Sequence, residues 1–233
     1  MPIKGLTDRK TIQPRLARLG KLRKGGEKTA KGPGKDLDHF RFTSNYPKVG
    51  QAFHEAYTDK PRLVNAIMFY PTLEENFSTW VEVWDASGLV LRSDGEHDYI
   101  WREGDRVKRG KRPHSPQEDE IQVGRLEFLV PELLQQEIIG TITLETHSKN
   151  DMIHIAGMLA ALERERGRKG LWGAEIAIRR VKEEIGVPGF GDRKGQRSTA
   201  TKWMVKIEPR RGFAVALLQS LSGVPMLEND DAI

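Results

Sequence analysis

The stretch WVEVWDASGLVLRSDG, residues 80–95, constrains the fold most. In an extended chain Trp80, Glu82 and Trp84 share one face, while Val81, Val83 and Asp85 share the other. Ala86-Ser87-Gly88 then turns the chain back into a second apolar run, which predicts an antiparallel hairpin. A further turn, Ser93-Asp94-Gly95, leads into DYIWR, residues 98–102. A chain that builds successive hairpins commits its core to a mainly antiparallel sheet.

Other segments extend this pattern. RLVNAIMFYP (62–71) reads as a strand ended by Pro71, and IQVGRLEFLVPELL (121–134) and IIGTITLETH (138–147) supply two more. The clearest helix covers about 149–166. Ser148 is its expected N-cap, with Asp151 three residues on as an acidic variant of the capping box. Met152, Ile155, Leu159 and Leu162 keep helical spacing, and Gly167 or Gly170 ends it. LWGAEIAIRRV (171–181) and TKWMVKIEP (201–209) form a strand pair across a long basic connection, 182–200. A short C-terminal helix is expected at 213–221, before an acidic tail over 223–233. The expected class is therefore α+β, mainly antiparallel strands with two late helices. Residues 37–222 form one domain, and a basic flexible arm of residues 1–36 precedes it. Trp80, Trp84, Trp101, Trp172 and Trp203 all fall in strand candidates, where core packing is their expected role.

The arm is where the charge lies. Residues 1–35 carry eleven Lys and Arg against two acids, Asp8 and Glu27, whereas the whole chain of 233 residues is only +5. Within it Ile12, Leu16, Leu19 and Leu22 have the spacing of one face of a short basic helix, stopped by Gly25-Gly26. Two further basic runs follow. RVKRGKR (106–112) opens a polar loop expected over 103–120, and RKGQRSTATK lies at 193–202. The candidate contacts for nucleic acid or a partner are Arg15, Arg18, Lys21, Arg23, Lys24, Lys28, Lys31 and Lys35 in the arm. Arg106, Lys108, Arg109, Lys111 and Arg112 stand in the second run, and Arg193, Lys194, Arg197 and Lys202 in the third. Such cations neutralise phosphates and release counterions, and Trp101, Phe190 and Trp203 stand near enough in sequence to stack bases. Basic loops that merely solubilise the chain are the alternative reading.

Enzymatic signals are sparse. No phosphate-cradling glycine motif, serine-nucleophile elbow or His-Glu-x-x-His occurs. Asp94, Glu96 and Asp98 alternate around His97, a pattern that suits either a hard cation or a solvated turn. A metal-dependent hydrolase built on them is the third functional reading. No cofactor is implied. With no cysteine, disulfides and thiolate metal sites are excluded, and no apolar run reaches the ~18 residues of a membrane span. A cytoplasmic protein of a prokaryote or phage-infected cell is the expected setting.

Several segments, taken in order, resemble the recombination directionality factor-like family of phage and bacterial proteins. Pro14-Arg15-Leu16-Ala17-Arg18-Leu19-Gly20-Lys21-Leu22-Arg23 is similar to its opening element, SGLVLRSDG (87–95) to its Gly-Asp-Gly hairpin, and GRLEFLVPEL (124–133) to its strand ending in Leu-Pro-Glu. The helix with GLWGAEIAIRRV and STATKWMVKIEP resembles its C-terminal unit. Many relatives carry a cysteine cluster between the hairpin and the Leu-Pro-Glu strand. Here that interval, 103–120, has none, so no zinc site is carried over. The resemblance implies a non-enzymatic accessory that binds DNA, a DNA-bound serine integrase, or both, and sets recombination direction. A sequence-nonspecific binder of single- or double-stranded nucleic acid is the alternative.

Overall fold

A computed structural model describes residues 16–27, 34–86, 88–102, 105–111, 120–188 and 197–210. Two sheets and a helical layer share one core. In chain order the strands of the larger sheet are β1 (Arg18–Gly25), β2 (Asp36–Thr43), β4 (Phe77–Asp85), β5 (Gly88–Ser93), β6 (His97–Arg102), β7 (Asp105–Lys111), β8 (Ile121–Phe128) and β9 (Thr141–Thr146). The smaller sheet holds β3 (Leu63–Ile67), β10 (Glu175–Pro188) and β11 (Arg197–Pro209). The helices are α1 (Pro47–Tyr57), α2 (Leu73–Asn76), α3 (Pro131–Leu134) and α4 (Lys149–Arg166), with a 3₁₀ turn at Gly167–Lys169.

The eight-stranded sheet runs β2-β1-β9-β8-β4-β5-β6-β7 and the three-stranded sheet runs β11-β10-β3. Every pairing is antiparallel except β1 with β9. The α+β reading with mainly antiparallel strands therefore describes the chain, and the hairpin over 80–95 forms as β4 and β5.

Alternation builds the core. Leu22, Phe40, Phe42, Leu126, Phe128, Ile142 and Leu144 point from the large sheet toward Val64, Ala66, Ile176, Ile178, Val205 and Ile207 of the small one. Ile155 and Leu159 of α4 join them. Each of these side chains larger than Ala66 contributes roughly 1.5–3 kcal/mol when fully buried. In α1, which sequence reading passed over, Pro47 opens the helix, and Val49, Ala52 and Phe53 bury one face. Phe53 stacks on Phe42 with centroids 4.1 Å apart.

Three expectations change. Arg18–Gly25 is not a helix in a flexible arm but a strand between β2 and β9, so the domain's first strand starts well before residue 37. Its register to β9 slips between Arg18 and Gly20, a bulge that buries Leu19 as well as Leu22. Two leucines three apart on one side imitate helical spacing. Gly20 is required here, because a Cβ would lie 2.5 Å from the Phe42 ring and 2.7 Å from the Thr43 carbonyl. Second, part of the loop expected over 103–120 is β7, paired with β6. Third, most of the connection 182–200 belongs to one hairpin, with β10 and β11 in register from Ile176–Pro209 to Pro188–Arg197. The expected helix at 213–221, the tail and residues 1–15 lie outside the described residues. No helix among the described residues is long and apolar enough to cross a membrane.

Candidate nucleic-acid interface

At the end of β1 the chain carries Arg23 and Lys24 into Gly25-Gly26, and Gly34-Lys35 brings it back into β2. The N-terminus of α4 (Ser148, Lys149, Asn150) and the β10–β11 hairpin (Ile185, Gly186, Thr201, Lys202, Trp203) rise on either side. Together they enclose a groove of about 1080 Å³. Its lining includes six cations, Arg23, Lys24, Lys35, Arg41, Lys149 and Lys202, against two carboxylates, Asp36 and Glu145.

Both carboxylates are already committed. Asp36 accepts from Nη2 of Arg180 at 2.8 Å, and that guanidinium, fully buried on β10, also donates to the Leu37 carbonyl. Glu145 lies 3.6 Å from Lys21 Nζ and accepts from Arg125 Nε at 3.2 Å. Burial opposes its charge, but Lys21 and Arg125 outweigh that and hold its carboxyl below the usual range.

The cations divide differently. Lys24 donates to Asp151 at 2.8 Å, and Arg41 donates to Glu27 at 2.7 Å. Arg23, Lys35, Lys149 and Lys202 have no ion-pair partner among the described residues. Four uncompensated charges thus face one groove, at the positive end of the helix dipole of α4. Trp203 lines the same groove, with the Arg62 guanidinium 5.3 Å from its ring centroid.

The groove is held from beneath by Asp151, which is fully buried. Its backbone N–H caps onto Ser148 Oγ as expected. Its carboxylate does not complete a capping box, but accepts from Lys24 Nζ, from Thr146 Oγ1 at 2.9 Å and from the Val205 N–H at 3.1 Å. One carboxylate therefore ties β1, β9, α4 and β11 together. His154, one turn along α4, accepts from the Ile207 N–H at 3.1 Å. Burial, then the charge of Lys206, pushes its imidazolium down, so the neutral ring that can accept is favoured.

Of the residues expected to bind, Arg23, Lys35 and Lys202 meet in the groove, and Lys24 is spent on Asp151. Arg18 and Lys21 sit on β1 but face carboxylates, Glu127 at 3.9 Å and Glu145. Arg106, Lys108, Arg109 and Lys111 belong to β7 at the far edge of the large sheet, several strands from β1. Arg197 starts β11. Arg15, Lys28, Lys31, Arg112, Arg193 and Lys194 lie outside the described residues. Lys149 and Arg41 are groove cations that the sequence did not signal, because each stands alone in a segment with no basic run.

The acidic turn is built for shape. Asp94 Oδ1 accepts from the backbone N–H of Glu96 at 2.9 Å and of His97 at 2.7 Å, while Oδ2 accepts from Tyr99 Oη at 2.9 Å. Partial burial opposes the charge, but these bonds hold the carboxyl at about 2. Among the described residues, Asp94, Glu96 and Asp98 do not gather with any histidine or carboxylate into a group that could hold a metal ion.

Comparison with known proteins adds the last element. No curated protein and no solved structure matches the chain. A family model does match, over residues 19–190, from the buried Leu19 of β1 to just past the end of β10. That span takes in the bulge of the first strand, the β4–β5 hairpin, the β8 strand that leads into Val130-Pro131-Glu132, and α4. The chain belongs to the Gp3-like family, described as recombination directionality factor-like.

Proposed function

We propose that this protein is a non-catalytic accessory of phage site-specific recombination, acting in the cytoplasm of the infected cell. It lays a DNA backbone along the groove of Arg23, Lys35, Lys149 and Lys202 while it engages a DNA-bound serine integrase. The observation that carries this reading is the convergence of four cations, without an ion-pair partner among the described residues, from β1, the turn into β2, α4 and β11 on one groove whose own carboxylates are neutralised from behind. Phosphate contacts of this kind position a protein on DNA without reading sequence. Direction is then set by population shift, with one arrangement of the integrase–DNA complex bound more tightly than the other. Turning a 1:99 mixture into 99:1 takes about 5.5 kcal/mol of differential contact.

The test is duplex-DNA binding by the full chain across a salt series. In Arg23→Glu/Lys202→Glu, affinity is expected to fall and the slope of log K against log salt to lose about two units, roughly one per cation. Thermal stability should stay close to wild type, since neither residue has an ion-pair partner among the described residues. Affinity and slope unchanged in the double variant would remove the groove from DNA binding. Capture of purified integrase by the same variant would then report whether the partner contact lies elsewhere.

A further inference from the structure

We propose that the opposite end of α4 carries a second nucleic-acid site, in which Trp172 and Phe69 stack an unpaired base while Arg168 and Lys169 hold the flanking phosphates. Tryptophan at 172 was expected in the core. Instead Leu171 fills that place, fully buried, and Trp172 stands 57% exposed. Its ring leans on Phe69, centroids 5.3 Å apart at 42°, and Phe69 in turn meets Tyr70 edge-on at 5.0 Å.

Both loops that carry these rings are fixed. Arg166 donates from Nε to the Gly170 carbonyl and from Nη2 to the Trp172 carbonyl, each at 2.8 Å. Gly170, at φ 54°, lies so close to Pro71 that a Cβ would meet its carbonyl oxygen at 2.3 Å. On the other loop the buried Asn76 donates to the carbonyls of Tyr70 and Thr72 and accepts from the Tyr70 N–H. An exposed indole on a backbone pinned this way is a preformed platform, so a ligand need not order it.

Charge selects the ligand. Arg164, Arg168 and Lys169 are exposed, stand within eight positions of Trp172, and have no ion-pair partner among the described residues. Of the carboxylates at this end of α4 and on α2, Glu163, Glu165, Glu74 and Glu75, Glu75 is engaged in capping Thr72 and Glu165 also has a partner. Open aromatic surface beside unpaired cations is the combination that binds single strands without sequence preference. The eighteen residues of α4 separate this platform from the groove by about 27 Å at ~1.5 Å per residue, so the two sites can be tested apart.

The experiment titrates the full chain with an oligothymidylate single strand and, separately, with a duplex, following tryptophan fluorescence and anisotropy. Trp172→Ala is expected to weaken single-strand binding about five- to 150-fold, the range for one stacked base, and to leave duplex binding and the melting curve unchanged. Trp172→Phe should recover much of the loss. Arg168→Glu/Lys169→Glu should lower the single-strand salt slope by about 1.4. Equal oligothymidylate affinity in wild type and Trp172→Ala would overturn the proposal. Parallel loss of single-strand and duplex binding would also do so, by placing Trp172 under the groove's control. Retained oligothymidylate binding with lost capture of purified integrase would make the platform a protein surface instead. Failure of the groove variants alone would leave this site standing.

Discussion

The face of the large sheet that looks away from the core is as densely charged as the groove at the start of α4, and it handles its charge in the opposite way. On the sheet, Glu82 of β4 is fully buried yet ionised. Arg125 grips it with Nη1 at 2.7 Å and Nη2 at 2.9 Å, Arg92 donates from Nε at 2.8 Å, and the Trp84 indole N–H adds a bond at 3.0 Å. Arg125 passes on to Glu145, and Glu145 to Lys21, so the chain of charges crosses five strands, from Arg92 on β5 to Lys21 on β1. In the groove the carboxylates are consumed from behind and the cations are left over. The two regions cannot be told apart by composition. What separates them is whether the carboxylate opposite a cation is still free: Glu82 faces Arg92 and Arg125 faces Glu145, whereas Arg23 lies between Arg41 and a Glu145 that Arg125 and Lys21 already hold.

The comparison breaks most visibly at Glu82. In Glu82→Ala, Arg125 and Arg92 lose their shared acceptor on a nearly closed surface. Removing one partner of a buried pair costs about 3–5 kcal/mol. For a chain of this length that lowers the melting temperature by roughly 6–20 °C, which thermal denaturation by circular dichroism would show. A loss within a degree or two would mean that the network is cosmetic and that the groove is not special in being unpaired.

Acid sharpens the same contrast. Burial opposes the charge of Glu82, but the bonds and charge of Arg125 prevail and hold its carboxyl at about 2, against an ordinary 4.5. The folded value is depressed, so the stabilisation is complete above about pH 4.5 and fades as pH falls toward 2. Melting temperatures of wild type should therefore drop through this window more steeply than those of Glu82→Gln, which has no proton to take up. Equal steepness would shift the acid sensitivity to Asp38, held at about 2 by His39 and then Arg62, or to Asp94.

How much of this was legible in sequence follows from the same physics. The β4–β5 hairpin and α4 were readable because period two and the Ser148 cap are local signals. β1 was not, because its bulge puts Leu19 and Leu22 on one side and gives a strand the spacing of a helix. In sequence Asp151 is only the acidic partner of the Ser148 cap, and in the fold it is a hub, since its partners Lys24 and Val205 are distant in sequence and only the fold brings them to it. The groove was half visible. Arg23, Lys35 and Lys202 were flagged by their neighbours in basic runs, whereas Lys149 has no such neighbour and owes its place to the direction in which α4 starts.

Lys21 and Lys24 bring the comparison to its smallest scale: one strand, one charge type, three residues apart. Lys24 reaches a fully buried carboxylate at 2.8 Å, while Lys21 lies 3.6 Å from one that Arg125 already holds. Lys24→Met leaves the buried Asp151 with only a hydroxyl and one N–H, and should cost about 3 kcal/mol, the low end for a broken buried pair because Lys24 is itself partly exposed. Lys21→Met leaves Glu145 paired with Arg125 and should cost less than about 1 kcal/mol. Urea denaturation of both variants measures the difference directly. If Lys21 proved the costlier loss, the sheet-face network rather than Asp151 would be the element that fixes β1, and the groove would be anchored from the opposite side.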